Sequence, residues 1–134
     1  VPLPFSDGSI ERIVFHLSLS FTPSPLHCLR QVLRVLHPDG TAVLTCFQPH
    51  TDLSTLFRRH LRAAAHDEFG SPAQTALHYL GRLHEAIRHG LLHNYEQDEL
   101  ARLLSHAGAG SIRLFSLLDN QLLLAVVRKT KYAG

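Results

Sequence analysis

Short apolar runs alternate with longer amphipathic stretches along the first third of the chain. Residues 10–19 and 41–47 are short, rich in apolar or β-branched residues and bounded by turn residues, so each run predicts a buried strand. Between them, apolar residues from Leu26 to Leu36 recur at a helical period. Ser24 can cap that helix, with Pro25 at its first position. The pattern therefore predicts a strand, a helix and a second strand.

The segment from His37 to Gly40 separates the predicted helix from the strand that follows. Proline cannot continue a helix, and we expect Gly40 to supply the positive φ that ends it. Because the strand at 41–47 is apolar or β-branched at almost every position, we expect helices to cover both faces of its sheet.

The rest of the chain predicts helices followed by a hairpin. Helical patterns cover residues 52–65, 71–89 and 95–107. Residues 111–118 and 122–127 predict two strands joined by a tight turn at 119–121. Strands separated by helices imply parallel crossovers, so the predicted fold class is α/β, and the hairpin adds one antiparallel strand.

Composition and charge exclude several classes of protein. The 134 residues suffice for one domain, and the net charge is only +2, without the basic run expected of a nucleic-acid-binding protein. The longest apolar run, 122–127, is too short to cross a bilayer, so no membrane partner is expected. Cys28 and Cys46 lie in apolar segments, which favours free buried thiols, a reducing compartment and a cytoplasmic location.

Two stretches, LPFSDGSI at 3–10 and LRQVLRVLHPDG at 29–40, resemble the class I S-adenosylmethionine-dependent methyltransferases. That family reads LPF-x-D-x-S-F-D, a strand, then L-R-E-x-x-R-V-L-K-P-G-G and another strand. This chain departs from the pattern at Ile10-Glu11, Gln31, His37 and Asp39. The resemblance is specific through Phe47 and continues in order to the hairpin. It implies a Rossmann-like methyltransferase sheet of which four strands are visible.

The resemblance implies a single partial methyltransferase-like domain over 1–134. Residues 1–48 and 108–128 would form the sheet portion, 49–94 a helical lid, and 95–107 a helix flanking the sheet. The family's Gly-rich cofactor turn is absent, since the one similar stretch, 107–110, follows a helix and precedes a strand. Because the chain has no methionine and starts inside a loop, we expect it to be the C-terminal part of a longer enzyme. A degenerate module without the cofactor half is the alternative.

The same resemblance assigns candidate site residues. His16 and Leu17, at the end of the first strand, would face the methionine part of S-adenosylmethionine, and Leu3 would lie near its adenine. Core packing is the other interpretation of Leu3 and Leu17. His50, just after the second strand, is the candidate general base, and a loop histidine in solvent is the alternative. Many relatives need no base, because they act by holding cofactor and acceptor in line.

A possible metal site can be weighed from spacing alone. Glu85, His89 and His93 recur at every fourth position, as metal ligands on one helix face do. Gly90 weakens the helix between the two histidines, and no cysteine lies nearby. We therefore expect a solvated face and no bound metal.

The expected function is methyl transfer from S-adenosylmethionine to a small-molecule acceptor. This chain alone is expected to be inactive and to bind the cofactor weakly or not at all. The alternatives are a non-catalytic methyltransferase-like module used for assembly or protein interaction, and an unrelated α/β domain that shares only the sheet pattern. The strand at 10–19 would leave an apolar edge unprotected. We expect a preceding segment, a second copy of the chain or a partner protein to cover it.

Overall fold

Residues 2–49, 52, 58 and 70–130 are described by the computed structural model of the chain. Their elements, in chain order, are β1 (Ile10–His16), a 3₁₀ turn (Ser18–Phe21), α1 (Pro25–Val35), β2 (Leu36–Phe47), α2 (Gly70–Arg88), α3 (Gln97–Ala107), β3 (Ser111–Leu117) and β4 (Leu122–Arg128). None of the described helices is both long enough and apolar enough to cross a bilayer.

The strands form one sheet in the order β1-β2-β4-β3. β1 pairs in parallel with β2, with Val14 opposite Val43. β4 lies antiparallel between β2 and β3, where Val43 pairs with Val126 and Val126 pairs with Arg113. The predicted α/β sheet, with one antiparallel strand contributed by a hairpin, is confirmed.

One face of the sheet packs against α1 and α3. Strand alternation places every second residue of β2 on this face, where Ala42, Leu44 and Cys46 are almost fully buried. The two helices add leucines and valines at three- and four-residue spacing: Leu29, Val32 and Leu33 from α1, Leu100 and Leu104 from α3. Burial of each of these side chains stabilises the fold by about 1.5–3 kcal/mol, so this face forms the main core.

The opposite face is covered only at the ends of the strands by the residues that the structure describes. There Phe47 packs with Leu83 and Ile87 of α2. Farther along the same face, Val14 is 76% exposed and Phe115 is 47% exposed. The expectation of helices on both faces therefore holds in the described part only near Phe47.

The segment predicted to stop the first helix is part of a strand. α1 ends at Val35 and β2 begins at Leu36, so His37 to Gly40 is extended. The predicted positive φ at Gly40 is wrong, because positive φ occurs only at Gly8, Gly90 and Gly108 among the described glycines. Gly40 is needed for space: a Cβ there would lie 2.8 Å from the Glu11 carbonyl oxygen and 2.8 Å from Leu36 Cδ1.

Several predicted element ends shift by a few residues. β1 stops at His16 rather than at 19, and α3 begins at Gln97 rather than at 95. Ser24 occupies the N-cap of α1 and Pro25 the first turn as predicted, but the Ser24 side chain makes no capping hydrogen bond. The predicted helix at 52–65 lies almost wholly outside the described residues, so α2 is the described part of the predicted lid.

Candidate functional site

The carboxyl ends of β1 and β2 meet at one edge of the sheet, where His16 and Phe47 end their strands. In open α/β sheets, ligands bind outside the carboxyl ends of the strands. β4 starts at the same edge, because Leu122 pairs with Phe47 across the antiparallel ladder. Side chains that follow or end these strands are therefore the candidate site residues.

A hydrogen-bonded group of three residues occupies this edge. The Thr45 hydroxyl lies 2.6 Å from His16 Nδ1 and accepts a hydrogen bond from the Leu17 amide at 3.0 Å. The Leu17 amide also donates to the Thr45 carbonyl at 3.0 Å. Thr45 is buried, whereas the His16 side chain is exposed. Thr45 is therefore the hydrogen-bond partner of the His16 ring among the described residues.

Leu17 has a left-handed backbone, with φ of 55° and ψ of −6°. A non-glycine residue in this conformation costs about 1–2 kcal/mol, and such residues concentrate at functional sites. The two hydrogen bonds from its amide to Thr45 hold the turn in place. As a result, the chain leaves β1 sharply after His16 and keeps that ring at the edge.

The geometry also indicates how His16 could act. The Thr45 hydroxyl accepts the Leu17 amide and lies against His16 Nδ1, so it fixes the orientation of the imidazole ring. The other ring nitrogen, Nε2, has no hydrogen bond with any residue that the structure describes, and it is the ring atom of His16 that can contact a ligand at the edge.

The turn between β3 and β4 lies at the same edge and was only partly foreseen. Leu118, Asp119 and Asn120 have φ of 52°, 53° and 65°, three left-handed residues in succession. Gln48 holds this turn, because its amide nitrogen donates to the Ser116 hydroxyl and, at 3.1 Å, to the Leu122 carbonyl. Asp and Asn tolerate this conformation and mark the turn in the sequence, but nothing marks Leu118.

The loop between α2 and α3 is tied to the edge through its backbone. The His93 amide donates to the Ser20 carbonyl at 3.0 Å, and the Tyr95 amide donates to the Phe47 carbonyl at 2.9 Å. The His93 ring stacks edge-on against the Tyr95 ring, with 4.4 Å between centroids, and its Nε2 lies 2.8 Å from Glu99 Oε1. These contacts fix residues 93–95 beside the ends of β1 and β2.

Buried ionisable groups lie behind this loop and stay neutral at ordinary pH. Burial and the Glu99 carboxylate raise the pKa of the Cys46 thiol to about 12. Burial, followed by the influence of Cys46 and Glu99, raises the pKa of Tyr95 to about 12. Both cysteines are free thiols as predicted, with Cys46 buried and Cys28 half-buried. Thiols with raised pKa are poor nucleophiles, so they serve packing.

The structure brings together two of the four predicted site residues. His16 and Leu17 are adjacent at the carboxyl edge and share Thr45. Leu3 lies elsewhere: its amide donates to Gln31 and its carbonyl accepts from Arg34, both in the later part of α1. His50 lies outside the described residues, and its role stays a prediction.

The spacing that suggested a metal site is broken in the structure. α2 ends at Arg88 and Gly90 turns the chain with φ of 68°, so His93 is no longer on the helix that carries Glu85. Glu85 pairs with His89 at 3.3 Å, whereas His93 pairs with Glu99. Across the described residues, no three His, Cys, Asp or Glu side chains are placed to hold a metal ion.

Comparison with known proteins identifies the first part of the chain. Residues 2–44 match the family model described as "Methyltransferase domain". The match covers β1, α1 and most of β2, and includes both stretches that carried the resemblance in the sequence. No curated protein matches the chain.

Solved structures extend the methyltransferase fold to the whole described domain. An S-adenosylmethionine-dependent methyltransferase from Thermotoga maritima is 12% identical, with a TM-score of 0.59 over 96% of this chain. A chain from the complex of the Haloferax volcanii Trm112 methyltransferase activator with a methyltransferase is 14% identical, with a TM-score of 0.59 over 98%. The CMeT domain of citrinin polyketide synthase is 14% identical, with a TM-score of 0.60 over 98%. At these identities the likeness concerns the fold.

The chain spans only part of the length of these structures. It spans 59% of the Thermotoga protein, 59% of the Haloferax chain and 30% of the CMeT chain. His16 and the left-handed turn at Leu17 lie at the carboxyl edge of the sheet, and their predicted contact with S-adenosylmethionine stays a prediction. A Gly-rich turn between a strand and a helix, which would receive the rest of the cofactor, is absent from the 134 residues.

Proposed function

We propose that this domain is the acceptor-side part of a methyltransferase that transfers a methyl group from S-adenosylmethionine to a small acceptor molecule. The match of residues 2–44 to the methyltransferase domain carries the proposal. The group at His16, Leu17 and Thr45 supports it, because an imidazole ring and a left-handed turn lie at the carboxyl ends of the strands, the edge at which open α/β sheets bind ligands. S-adenosylmethionine, when bound, supplies the electrophilic methyl group.

In this proposal the chain's own residues bind and orient. His16 contacts the ligand through Nε2, and Thr45 fixes the ring through Nδ1. Leu17 packs against the cluster formed by the buried Phe47 and Leu92 and so adds an apolar surface at the ends of the strands. Alignment of donor and acceptor is by itself a large part of catalysis in such transfers, so a general base is not required.

The first test is titration of S-adenosylhomocysteine into the full-length gene product by isothermal calorimetry. We expect binding, and we expect Thr45→Val to weaken it about fivefold to tenfold, since the His16 ring loses its anchor. The 134-residue chain is expected to bind weakly or not at all. His78→Ala is the control, because that residue lies exposed on α2. Absence of binding by the full-length product would contradict the proposal.

A second candidate function is favoured by the edge of the sheet. β1 is the outermost strand of the described sheet, and Val14 at its centre is 76% exposed. Unprotected strand edges pair readily with other chains. We propose a methyltransferase-like module that assembles through β1 as the alternative to an enzyme, with a second copy of the chain as the partner tested first.

Light scattering coupled to size exclusion distinguishes this assembly from a monomer. Self-association through β1 gives a mass above 15.0 kDa, and Val14→Lys returns it to the monomer value, because a charge on an edge strand opposes pairing. Tyr79→Lys, at a 65% exposed position on α2, should leave the mass unchanged. A monodisperse wild-type monomer whose β1 amides exchange rapidly with solvent would overturn the assembly hypothesis.

A further inference from the structure

A cleft of about 680 Å³ lies between the loop after β1, the loop before α3 and the outer side of α3. Its apolar walls include Phe21 and Leu91, which are 57% and 74% exposed, together with the half-buried Leu103. Large apolar side chains that face solvent around a concave surface are typical of ligand sites. The volume is that of a small-molecule pocket rather than of a protein interface.

Some of the charged and polar side chains that line the cleft have hydrogen-bond partners and others have none. Glu99 and His93 form an ion pair at 2.8 Å and so neutralise each other when the histidine is protonated. Arg102 and His106, one turn apart on α3, have no hydrogen bond or ion pair with any residue that the structure describes. Because Glu99 contacts His93, Arg102 is the permanent charge of the cleft that lacks a partner among the described residues.

A buried polar atom adds a second observation. Tyr95 lines the cleft and is only 1% exposed, and its hydroxyl has no hydrogen-bond partner within the described part of the chain. A buried hydroxyl without a partner costs about 1–3 kcal/mol. The residue itself is held rigidly by its amide bond to Phe47 and by the His93 ring.

We propose that this cleft binds a small apolar carboxylate, with the carboxylate against Arg102 and the apolar body along Phe21, Leu91 and Leu103. A guanidinium without a protein partner can take a carboxylate through two parallel hydrogen bonds. The apolar walls can bury the hydrocarbon part of such a ligand, whereas an inorganic anion has no apolar part to pack against them. This binding does not depend on the proposed methyl transfer, because the carboxylate contacts α3 and the loops rather than the His16 group.

Octanoate, octylamine and 1-octanol are suitable probes, since they share one apolar chain and differ in charge. Each is titrated into the ¹⁵N-labelled 134-residue chain and followed by amide chemical shifts. We expect octanoate to shift the amides of Leu91, His93 and Arg102 and to bind about five- to tenfold more tightly than octanol. Octylamine should bind more weakly than octanol, because Arg102 repels it.

Two variants test the role of the guanidinium. Arg102→Gln should reduce octanoate binding to the level of octanol without affecting octanol itself, because Arg102 is exposed and the fold does not depend on it. Arg82→Gln, on α2 and outside the cleft, should leave both affinities unchanged. Equal affinity for octanoate and octylamine, or shifts confined to residues outside the cleft, would overturn the proposal. Neither result bears on S-adenosylhomocysteine binding.

Discussion

Gly40→Ala is expected to lower the free energy of unfolding by about 2–4 kcal/mol. The added Cβ would lie 2.8 Å from the Glu11 carbonyl oxygen and 3.0 Å from the His37 carbonyl oxygen. Both obstacles are backbone atoms of the strands that pair at this point, so a side-chain rotation cannot relieve the contact. The strands have to separate locally, and the β1–β2 pairing that begins at Ile10 and Leu36 weakens.

Urea unfolding followed by circular dichroism measures this effect, with Gly81→Ala as the matched control. Gly81 lies inside α2, and a Cβ there meets nothing within 4 Å. The same substitution at that position should raise stability by about 0.5–1 kcal/mol, since alanine is the better helix former. If both substitutions changed the free energy of unfolding by a similar amount, the short contacts predicted for a Cβ at Gly40 would not destabilise the fold.

The protein is expected to lose stability steeply as the pH rises above 9. The pKa of Cys46 rises from 9.0 to about 12 in the folded state, and that of Tyr95 from 10.0 to about 12. Since the folded pKa values are raised, the unfolded chain releases these protons first. The linked stability is complete below pH 9 and is lost between pH 9 and about 12. Each group adds a slope of up to about 1.4 kcal/mol per pH unit.

The contribution of Cys46 can be isolated with Cys46→Ala. The cavity left by the lost thiol lowers the free energy of unfolding by the same amount at every pH. The variant has no thiol at this position, however, so its stability does not depend on the ionisation of Cys46. The difference in unfolding free energy between wild type and variant should therefore shrink by up to about 4 kcal/mol from pH 9 to 12. Cys28→Ala should give a smaller change, because Cys28 is only half-buried. Parallel curves for wild type and Cys46→Ala would contradict the assignment.

Local sequence rules predicted the elements well where pattern and tertiary packing agree. In α1, which begins at Pro25, the residues at helical spacing are those that pack into the core. In β4 of the hairpin, every second residue is buried in the same core. The segment at His37–Gly40 was predicted to end the helix as a turn, but the structure includes it in β2. Proline and glycine are typical of a helix stop, but here the segment is an irregular part of β2, between the pairs Ile10–Leu36 and Arg12–Thr41 that β2 makes with β1. Local rules do not contain these pairs, which join residues far apart in the sequence.

The site was predicted in part for a similar reason. His16 was assigned from the family resemblance at the end of the first strand, but its partner Thr45 lies 29 residues away inside an apolar strand, where nothing in the sequence marks it. The cleft could not be predicted, since its walls come from a loop after β1, a loop before α3 and one side of α3. Arg102 and His106 look like ordinary solvated helix residues until those loops are placed beside them.

The position of β4 determines when the sheet can be completed during synthesis. β4 is the last of the described strands, but it pairs with β2, about eighty residues earlier, and with β3 on its other side. Until it leaves the ribosome, β2 has a strand on one side only and β3 has none. The β1–α1–β2 unit can form early, whereas the link between the two halves depends on a single late, long-range closure. Deletion of residues 122–128 would therefore disconnect β3 from the sheet as well as remove β4.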